Sequence, residues 1–78
     1  MIRTFKNDDT VYYIVADGGG TDDENPFFTL EEALERVDEV DGDETGIDIW
    51  RATFADYLRV ESGEVDDPEI GTLVWERW

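Results

Sequence analysis

Hydrophobic and polar positions alternate along several stretches of the chain. The clearest is "TVYYIVA" (10–16), whose β-branched and aromatic residues predict a β-strand. "MIRTFK" (1–6) also alternates, with Ile2 and Phe5 as its apolar members. Because the turn residues "NDD" separate these two stretches, we expect them to form a β-hairpin.

One stretch has the spacing of an amphipathic helix instead. Thr29 is a suitable N-cap, and Glu32 three residues later completes a capping box. Gly42 lies just past the predicted end, where a left-handed residue commonly closes a helix. "FFTLEEALERVDEV" (27–40) therefore predicts a helix with five apolar residues on one face: Leu30, Ala33, Leu34, Val37 and Val40.

The rest of the chain predicts three further strands and two loops. "GIDIWRATF" (46–54) is rich in β-formers, and "YLRVE" (57–61) follows after a very short connection, so the pair predicts a second hairpin. "TLVWERW" (72–78) predicts a final strand. By composition, "DGGGTDDENP" (17–26) and "SGEVDDPEIG" (62–71) are loops.

The predicted order of elements is β-β-α-β-β-β. We therefore expect an α+β fold, in which a single antiparallel β-sheet of about five strands carries one α-helix on one face. A length of 78 residues limits the chain to one domain, residues 1–78. The first 20 residues contain no long apolar run, so we expect neither a signal peptide nor a membrane span, and a cytoplasmic location.

The composition restricts the chemistry. The chain has neither cysteine nor histidine, so it lacks thiolate ligands, disulfides and the usual general base at neutral pH. Ser62, the only serine, has no histidine to activate it. A domain of this size is also too small for a deep cleft. We expect no enzyme activity, no catalytic residue and no cofactor.

The glycine-rich stretch "DGGGTDD" (17–23) follows a predicted strand and resembles the phosphate loop of sugar kinases and actin-like ATPases. Its charge argues against that function, because four acids in or next to the stretch would repel a phosphate: Asp17, Asp22, Asp23 and Glu24. A flexible loop is the better interpretation.

The stretch from Asp41 partly fits a calcium-binding EF-hand loop, with acidic or polar residues at positions 1, 3 and 5 and Gly46 at position 6. Position 12, which requires a bidentate glutamate, is Ala52. Asp48 occupies position 8, and the segment that follows is predicted as a strand rather than a helix. We therefore expect no dedicated metal site.

Charge is the dominant property of the chain. Twenty-two acidic residues stand against six basic ones, which gives a formal net charge of −16. Such a balance often indicates disorder, but ten aromatic residues in strand-like segments favour a folded domain with charge on its surface. Because that charge repels itself and destabilises the compact state, its presence needs an explanation.

The distribution of acids on the predicted helix suggests one. Glu31 and Glu32 in the first turn favour the helix dipole, whereas each acid at the last turn opposes it by about 0.3–1 kcal/mol. Arg36 is the only base nearby, and it is placed to pair with Glu32. Selection for stability alone would favour Lys or Arg at this end, where the sequence instead has Asp38, Glu39, Asp41, Asp43 and Glu44.

We therefore interpret the acids as a binding surface. Residues four apart rise about 6 Å along a helix, and phosphates of one DNA strand are about 3.4 Å apart along the axis. The two spacings are of the same order, so carboxylates can imitate a nucleic-acid backbone. Trp75 and Trp78 are candidate aromatic contacts. The candidate acidic contacts are Glu31, Glu32, Glu35, Asp38, Glu39, Asp41, Asp43 and Glu44, together with Asp22, Asp23 and Glu24.

The length, the charge of −16 and the acidic helix "TLEEALERVDEVDGDE" (29–44) give the chain a family resemblance. It resembles the small acidic phage proteins that mimic DNA, and is most similar to the anti-CRISPR proteins that inhibit type I-C systems. The resemblance implies that the protein binds the large subunit of the surveillance complex, which reads the PAM, and blocks target DNA in the host cytoplasm. The partner would thus be a basic nucleic-acid-binding protein, not nucleic acid itself and not a membrane, and we expect the inhibitor to be a monomer.

Adaptation to high salt is the alternative explanation. Proteins of extreme halophiles are acidic and poor in lysine, and this chain has a single lysine, Lys6. Their surfaces keep charge that concentrated salt screens. The many large aromatic residues and isoleucines argue against this explanation, under which the domain would have some non-inhibitory function.

Overall fold

The computed structural model describes residues 4–16, 22, 24–41, 46–65 and 70–77, with the backbone alone for residues 40 and 41. The predicted α+β class is confirmed, but the structure has three strands and two helices instead of about five strands and one helix. In chain order the elements are β1 (Thr10–Ala16), α1 (Leu30–Asp41), β2 (Ile47–Thr53), α2 (Phe54–Glu61) and β3 (Thr72–Arg77).

The strands form one antiparallel sheet in the order β1-β2-β3. All three lie where the hydrophobic pattern predicts them. Tyr13 of β1 lies opposite Trp50 of β2, and Ile49 lies opposite Trp75 of β3. The register shifts between Ile49 and Trp50, which leaves Val74 as an extra residue in β3.

Helix α1 confirms the predicted amphipathic helix and its N-cap. The Thr29 hydroxyl oxygen accepts a hydrogen bond of 3.2 Å from the backbone N–H of Glu32. Ala33 and Val37 are fully buried, and Leu34 is half-buried beside them. This stripe packs on a core that includes Ile14, Phe27, Ile47 and Ile49.

Helix α2 overturns the second predicted hairpin, because the segment 57–61 is helical rather than extended. The Thr53 side chain caps this helix by accepting a hydrogen bond of 3.2 Å from the backbone N–H of Asp56. Phe54, Tyr57 and Leu58 then follow at helical spacing. This combination of cap and spacing prevails over the short alternation that "YLRVE" displays.

The first predicted hairpin is also wrong as far as the structure describes it, because residues 4–6 form no strand. Phe5 instead stacks on two other rings, with centroids 4.2 Å from Phe28 and 5.0 Å from Phe54. Such stacked rings stabilise one another beyond the apolar area they bury. Residues 1–3 lie outside the described residues.

Both faces of the sheet are covered, not one as expected. Side chains of a strand alternate between faces, and in β1 Ile14 packs in the core under α1. Val11, Tyr13 and Val15 point to the other face, where Tyr57 of α2 packs against them. The strand "TVYYIVA" is apolar at nearly every position because both of its faces are buried.

The two edges of the sheet differ. At the outer edge of β1, Tyr12 and Phe27 exchange two backbone hydrogen bonds of 2.9 and 2.8 Å. The side-chain amide of Asn25 continues this pairing, since it both donates to and accepts from the Ile14 backbone at 2.9 Å. Within the described residues no strand pairs with the outer edge of β3, where Leu73 is exposed.

Some predicted features lie outside the described residues. These are the glycine-rich loop at 17–21, Gly42 as the residue that closes the helix, the acids Asp23, Asp43 and Glu44, residues 66–69 of the second predicted loop, and the terminal Trp78. Neither of the two described helices is long and apolar enough to cross a membrane.

Candidate functional site

An acidic groove runs between α1 and the described residues that precede it, 22 and 24–27. The groove has a volume of about 350 Å³ and is open to solvent. Its lining consists of four glutamates, one arginine and the buried ring of Phe27. The lining residues are Glu24, Phe27, Glu32, Glu35, Arg36 and Glu39.

Helical periodicity brings most of these carboxylates together. Glu32, Glu35 and Glu39 are three and four residues apart, which places them on one side of α1. At about 100° per residue, the five acids of α1 with described side chains spread over about 120° of its circumference. This arc faces away from the buried stripe of Ala33 and Val37. Helix α1 therefore presents one continuous acidic surface, of which the groove is one side.

The far end of α1 has the charge that the helix dipole disfavours. Glu31 and Glu32 occupy the first turn, and the last turn contains no basic residue. Asp38 and Glu39 are exposed at that end. Water screens their repulsion from the last carbonyl groups only in part, so each costs about 0.3–1 kcal/mol.

Asp22 is placed differently from the other predicted contacts. Its side chain is only 11% exposed, and its two oxygens accept hydrogen bonds of 3.1 and 3.3 Å from Arg36 Nε. The backbone N–H of Glu24 donates to Asp22 Oδ1 at 2.8 Å. Arg36, predicted to pair with Glu32, thus has Asp22 as an ion-pair partner.

The predicted contact residues therefore fall into five groups. Glu24, Glu32, Glu35 and Glu39 line the groove, and Glu31 and Asp38 lie exposed on the same helix. Asp22 is engaged within the molecule. Asp41 is the last residue of α1, with no side chain described. The remaining three, Asp23, Asp43 and Glu44, lie outside the described residues.

Two groove residues could not be recognised in the sequence. Phe27 and Arg36 join the site only because residues 24–27 lie beside α1, a tertiary contact that leaves no local pattern. A weaker signal did exist in "DDEN" (22–25), since Asp commonly bonds to the backbone two residues later. The bond from the Glu24 N–H to Asp22 is of this kind.

The stretch compared with an EF-hand is a strand from Ile47 onwards, and Asp48 is a buried member of β2. Asp48 lies opposite Val15 and Glu76 in the sheet. Across the part of the chain that the structure describes, no group of three or more acidic side chains is arranged to hold a metal ion.

Trp75, a candidate aromatic contact, packs against the core under α1 and is only half-exposed. The guanidinium of Arg77 lies over its ring, with Cζ 5.6 Å from the ring centroid. Both contacts occupy the ring within the molecule, so the structure gives Trp75 a packing role.

No protein-family model, curated protein or solved structure matches this chain significantly. Function is therefore inferred from the acidic groove and from the helix that bears it.

Proposed function

We propose that this protein is an acidic inhibitor that imitates a nucleic-acid backbone and occupies the basic, DNA-reading surface of another protein. The observation that carries the proposal is the acidic arc of α1, which continues into the groove and ends in a helix terminus without a basic residue. An arrangement that costs stability and recurs along one face is expected of a surface selected for binding.

The geometry of the arc is compatible with this role. At about 1.5 Å per residue, Glu32 and Glu35 are separated by about 4.5 Å along the helix axis, and Glu35 and Glu39 by about 6 Å. Phosphates along one DNA strand repeat every 3.4 Å or so along the axis. Arginine side chains that bind phosphate also bind carboxylate through the same planar fork of N–H donors.

The identity of the partner comes from the family resemblance rather than from the groove. The chain resembles inhibitors of type I-C CRISPR systems, which favours the PAM-reading large subunit of the surveillance complex as the partner. Binding there would exclude target DNA in the host cytoplasm. No catalysis and no cofactor are needed for inhibition of this kind.

The direct test is binding to a purified type I-C surveillance complex, with and without a PAM-containing DNA duplex as competitor. We expect binding that the DNA displaces and that weakens steeply as salt is raised, because both ligands would use the same Lys and Arg side chains. Binding that DNA does not displace would exclude mimicry. If this complex does not bind, affinity capture from host lysate followed by competition with DNA tests other basic partners.

Salt adaptation makes a different prediction about the free protein. In about 0.1 M salt, where the Debye length is about 10 Å, we expect circular dichroism to show a folded chain. Folding that requires molar salt would favour halophilic adaptation as the reason for the charge.

A further inference from the structure

Two neighbouring phenylalanines before α1 lie in opposite environments. Phe27 is 4% exposed and belongs to the core under α1, whereas Phe28 is 42% exposed. Phe27 pairs with Tyr12 at the edge of β1, and side chains alternate between the two faces along such an extended backbone. Phe28 therefore points away from that core, toward Phe5 and the side of the sheet that carries α2.

Phe28 is the exposed end of a stack of four aromatic rings. Its ring lies on that of Phe5, with centroids 4.2 Å apart, and Phe5 lies on Phe54 at 5.0 Å. Phe54 stacks in turn on Tyr57 at 6.3 Å. The rings become more buried along this aromatic stack, from exposed Phe28 to buried Tyr57. The stack thus supports one face of the Phe28 ring and fixes its orientation, while the other face is open to solvent.

The surroundings of the Phe28 ring favour a cation. Helix α1 begins two residues after Phe28, with Glu31 and Glu32 in its first turn. Thr29, the residue next to Phe28, accepts the backbone N–H of Glu32, which lines the acidic groove. The face of an aromatic ring attracts a cation through its quadrupole, and the net charge of −16 attracts the same cation at longer range.

Phe28 is also distinct among the exposed apolar side chains. In the described part of the chain the large ones are Phe28, Leu58 and Leu73, and only Phe28 is aromatic. Trp75, the aromatic contact predicted from the sequence, already has the guanidinium of Arg77 over its ring. Arginine suits such a ring better than lysine, because its planar guanidinium stacks on the aromatic face while its N–H fork binds a carboxylate.

We propose that the open face of Phe28 is a binding site for an arginine side chain of the basic partner. The guanidinium stacks on the ring opposite Phe5, and its N–H groups reach the carboxylates at the start of α1. A nucleotide offers an arginine the same combination, a flat base on which guanidinium groups stack and a phosphate beside it. This inference deepens the proposed function and rests on it for the identity of the partner.

The free protein tests the arginine site without the surveillance complex. Triarginine and trilysine have equal charge, and NMR titration at low salt follows the ring protons of Phe28 and the methyl protons of Leu73. We expect the Phe28 ring to respond to triarginine at a concentration about three- to tenfold lower than to trilysine. At Leu73 the two peptides should differ by less than about twofold. An equal response of the Phe28 ring to both peptides would overturn the proposal.

Variants at position 28 test the same contact in the surveillance complex. Phe28→Leu keeps the apolar bulk and removes the aromatic face, so it should weaken binding about three- to tenfold. Phe28→Tyr keeps that face and should bind within about twofold of the wild type. Leu73→Ala, at the other edge of the sheet and 39% exposed, is the matched control and should also bind within about twofold. Unchanged binding by Phe28→Leu would overturn the proposal, and so would an equal loss in either of the other variants.

Failure of the arginine site and failure of the proposed function are distinguishable. A preference of the Phe28 ring for triarginine, without any binding to the complex, would support the arginine site and reject that partner. Binding to the complex that DNA displaces but that Phe28→Leu does not weaken would support the proposed function and overturn the arginine site.

Discussion

The two helices differ in the charge of their last turns. Helix α1 contains six acids and one base, a net charge of −5, and its last turn has no basic residue. Helix α2 contains two acids and one base, a net charge of −1, with Asp56 in the first turn and Arg59 in the last. Both helices begin with acids, as the helix dipole favours, but only α2 has a base in its last turn, where Arg59 offsets Glu61.

This difference bears on why the protein is acidic. Salt adaptation acts on a whole surface, whereas the last turn of α1 has acids without a base and the last turn of α2 has Arg59 to offset Glu61. The comparison therefore favours a local cause, a contact made by α1. Four predictions test it, in decreasing order of expected effect.

The largest effect concerns the cores that hold the two helices. Phe27 is buried under α1 and forms the floor of the groove, so Phe27→Ala should lower the free energy of unfolding by about 3–5 kcal/mol. Phe54, at the start of α2, is only half-buried, so Phe54→Ala should lower the free energy of unfolding by less than Phe27→Ala does. Urea unfolding measures both values. Equal losses would mean that α1 is held no more firmly than α2.

The second prediction concerns binding. The triple variant Glu35→Gln, Asp38→Asn and Glu39→Gln should weaken binding about 100-fold, at about 1 kcal/mol for each charge pair. Its stability should be unchanged or higher, because repulsion at the end of α1 is relieved.

A matched triple variant at α2 serves as its control: Asp56→Asn, Glu61→Gln and Glu64→Gln. It removes the same charge, and calorimetric titration should show little change in affinity. Similar losses of affinity in the two triple variants would show that the acids of α1 contribute no more to binding than those at α2.

The third prediction is a pH dependence that belongs to α2. Tyr57 is buried and its hydroxyl donates to Glu61 at 3.2 Å; burial first and Glu61 second raise the pKa of Tyr57 well above the ordinary value of 10.0. The fold therefore favours the neutral phenol. Stability should be full below pH 10 and should fall as pH rises above 10, where the tyrosine of the unfolded chain ionises.

Tyr57→Phe isolates this contribution. At neutral pH the variant should lose about 0.5–1.5 kcal/mol with the hydrogen bond to Glu61. Above pH 10 its stability should decline less steeply than that of the wild type. Parallel declines, measured by urea unfolding between pH 7 and 11, would show that Tyr57 does not cause the alkaline loss.

The smallest effects test the helix ends directly. Glu39→Lys should stabilise the protein by about 0.3–1 kcal/mol, and Arg59→Glu should destabilise it by a similar amount. Glu39→Lys should weaken binding because Glu39 lines the acidic groove, whereas Arg59→Glu should leave binding unchanged. Thermal unfolding at low salt measures both, and a destabilised Glu39→Lys would contradict the cost assigned to the end of α1.

The sequence predicted those elements whose pattern is long and regular. The strand at 10–16 and the helix at 30–41 each have several consistent signals, including Thr29 as an N-cap for the helix. The prediction of a strand at 57–61 was wrong because five residues can alternate by chance. The capping pair Thr53 and Asp56 was visible in the sequence, and so was the helical spacing of Phe54 and Tyr57. Taken together, these two signals would have predicted α2.

The candidate site was predictable only along α1. Glu32, Glu35 and Glu39 share a side because of helical periodicity, which a sequence reveals. Asp22 lies 14 residues from Arg36, and their pairing depends on how the preceding segment folds back along the helix. No local rule distinguishes Asp22, which is buried in an ion pair, from Glu24, which lines the groove.

The unequal edges of the sheet have a consequence for the protein in solution. Asn25 and Phe27 close the edge of β1, whereas no described strand covers that of β3, and open edges of this kind promote association between molecules. At low ionic strength the net charge of −16 keeps molecules apart. In 1 M salt the Debye length falls to about 3 Å, and this colloidal protection is lost. Sedimentation at both salt concentrations should accompany every folding measurement, because a spectroscopic change in concentrated salt can report self-association as readily as folding.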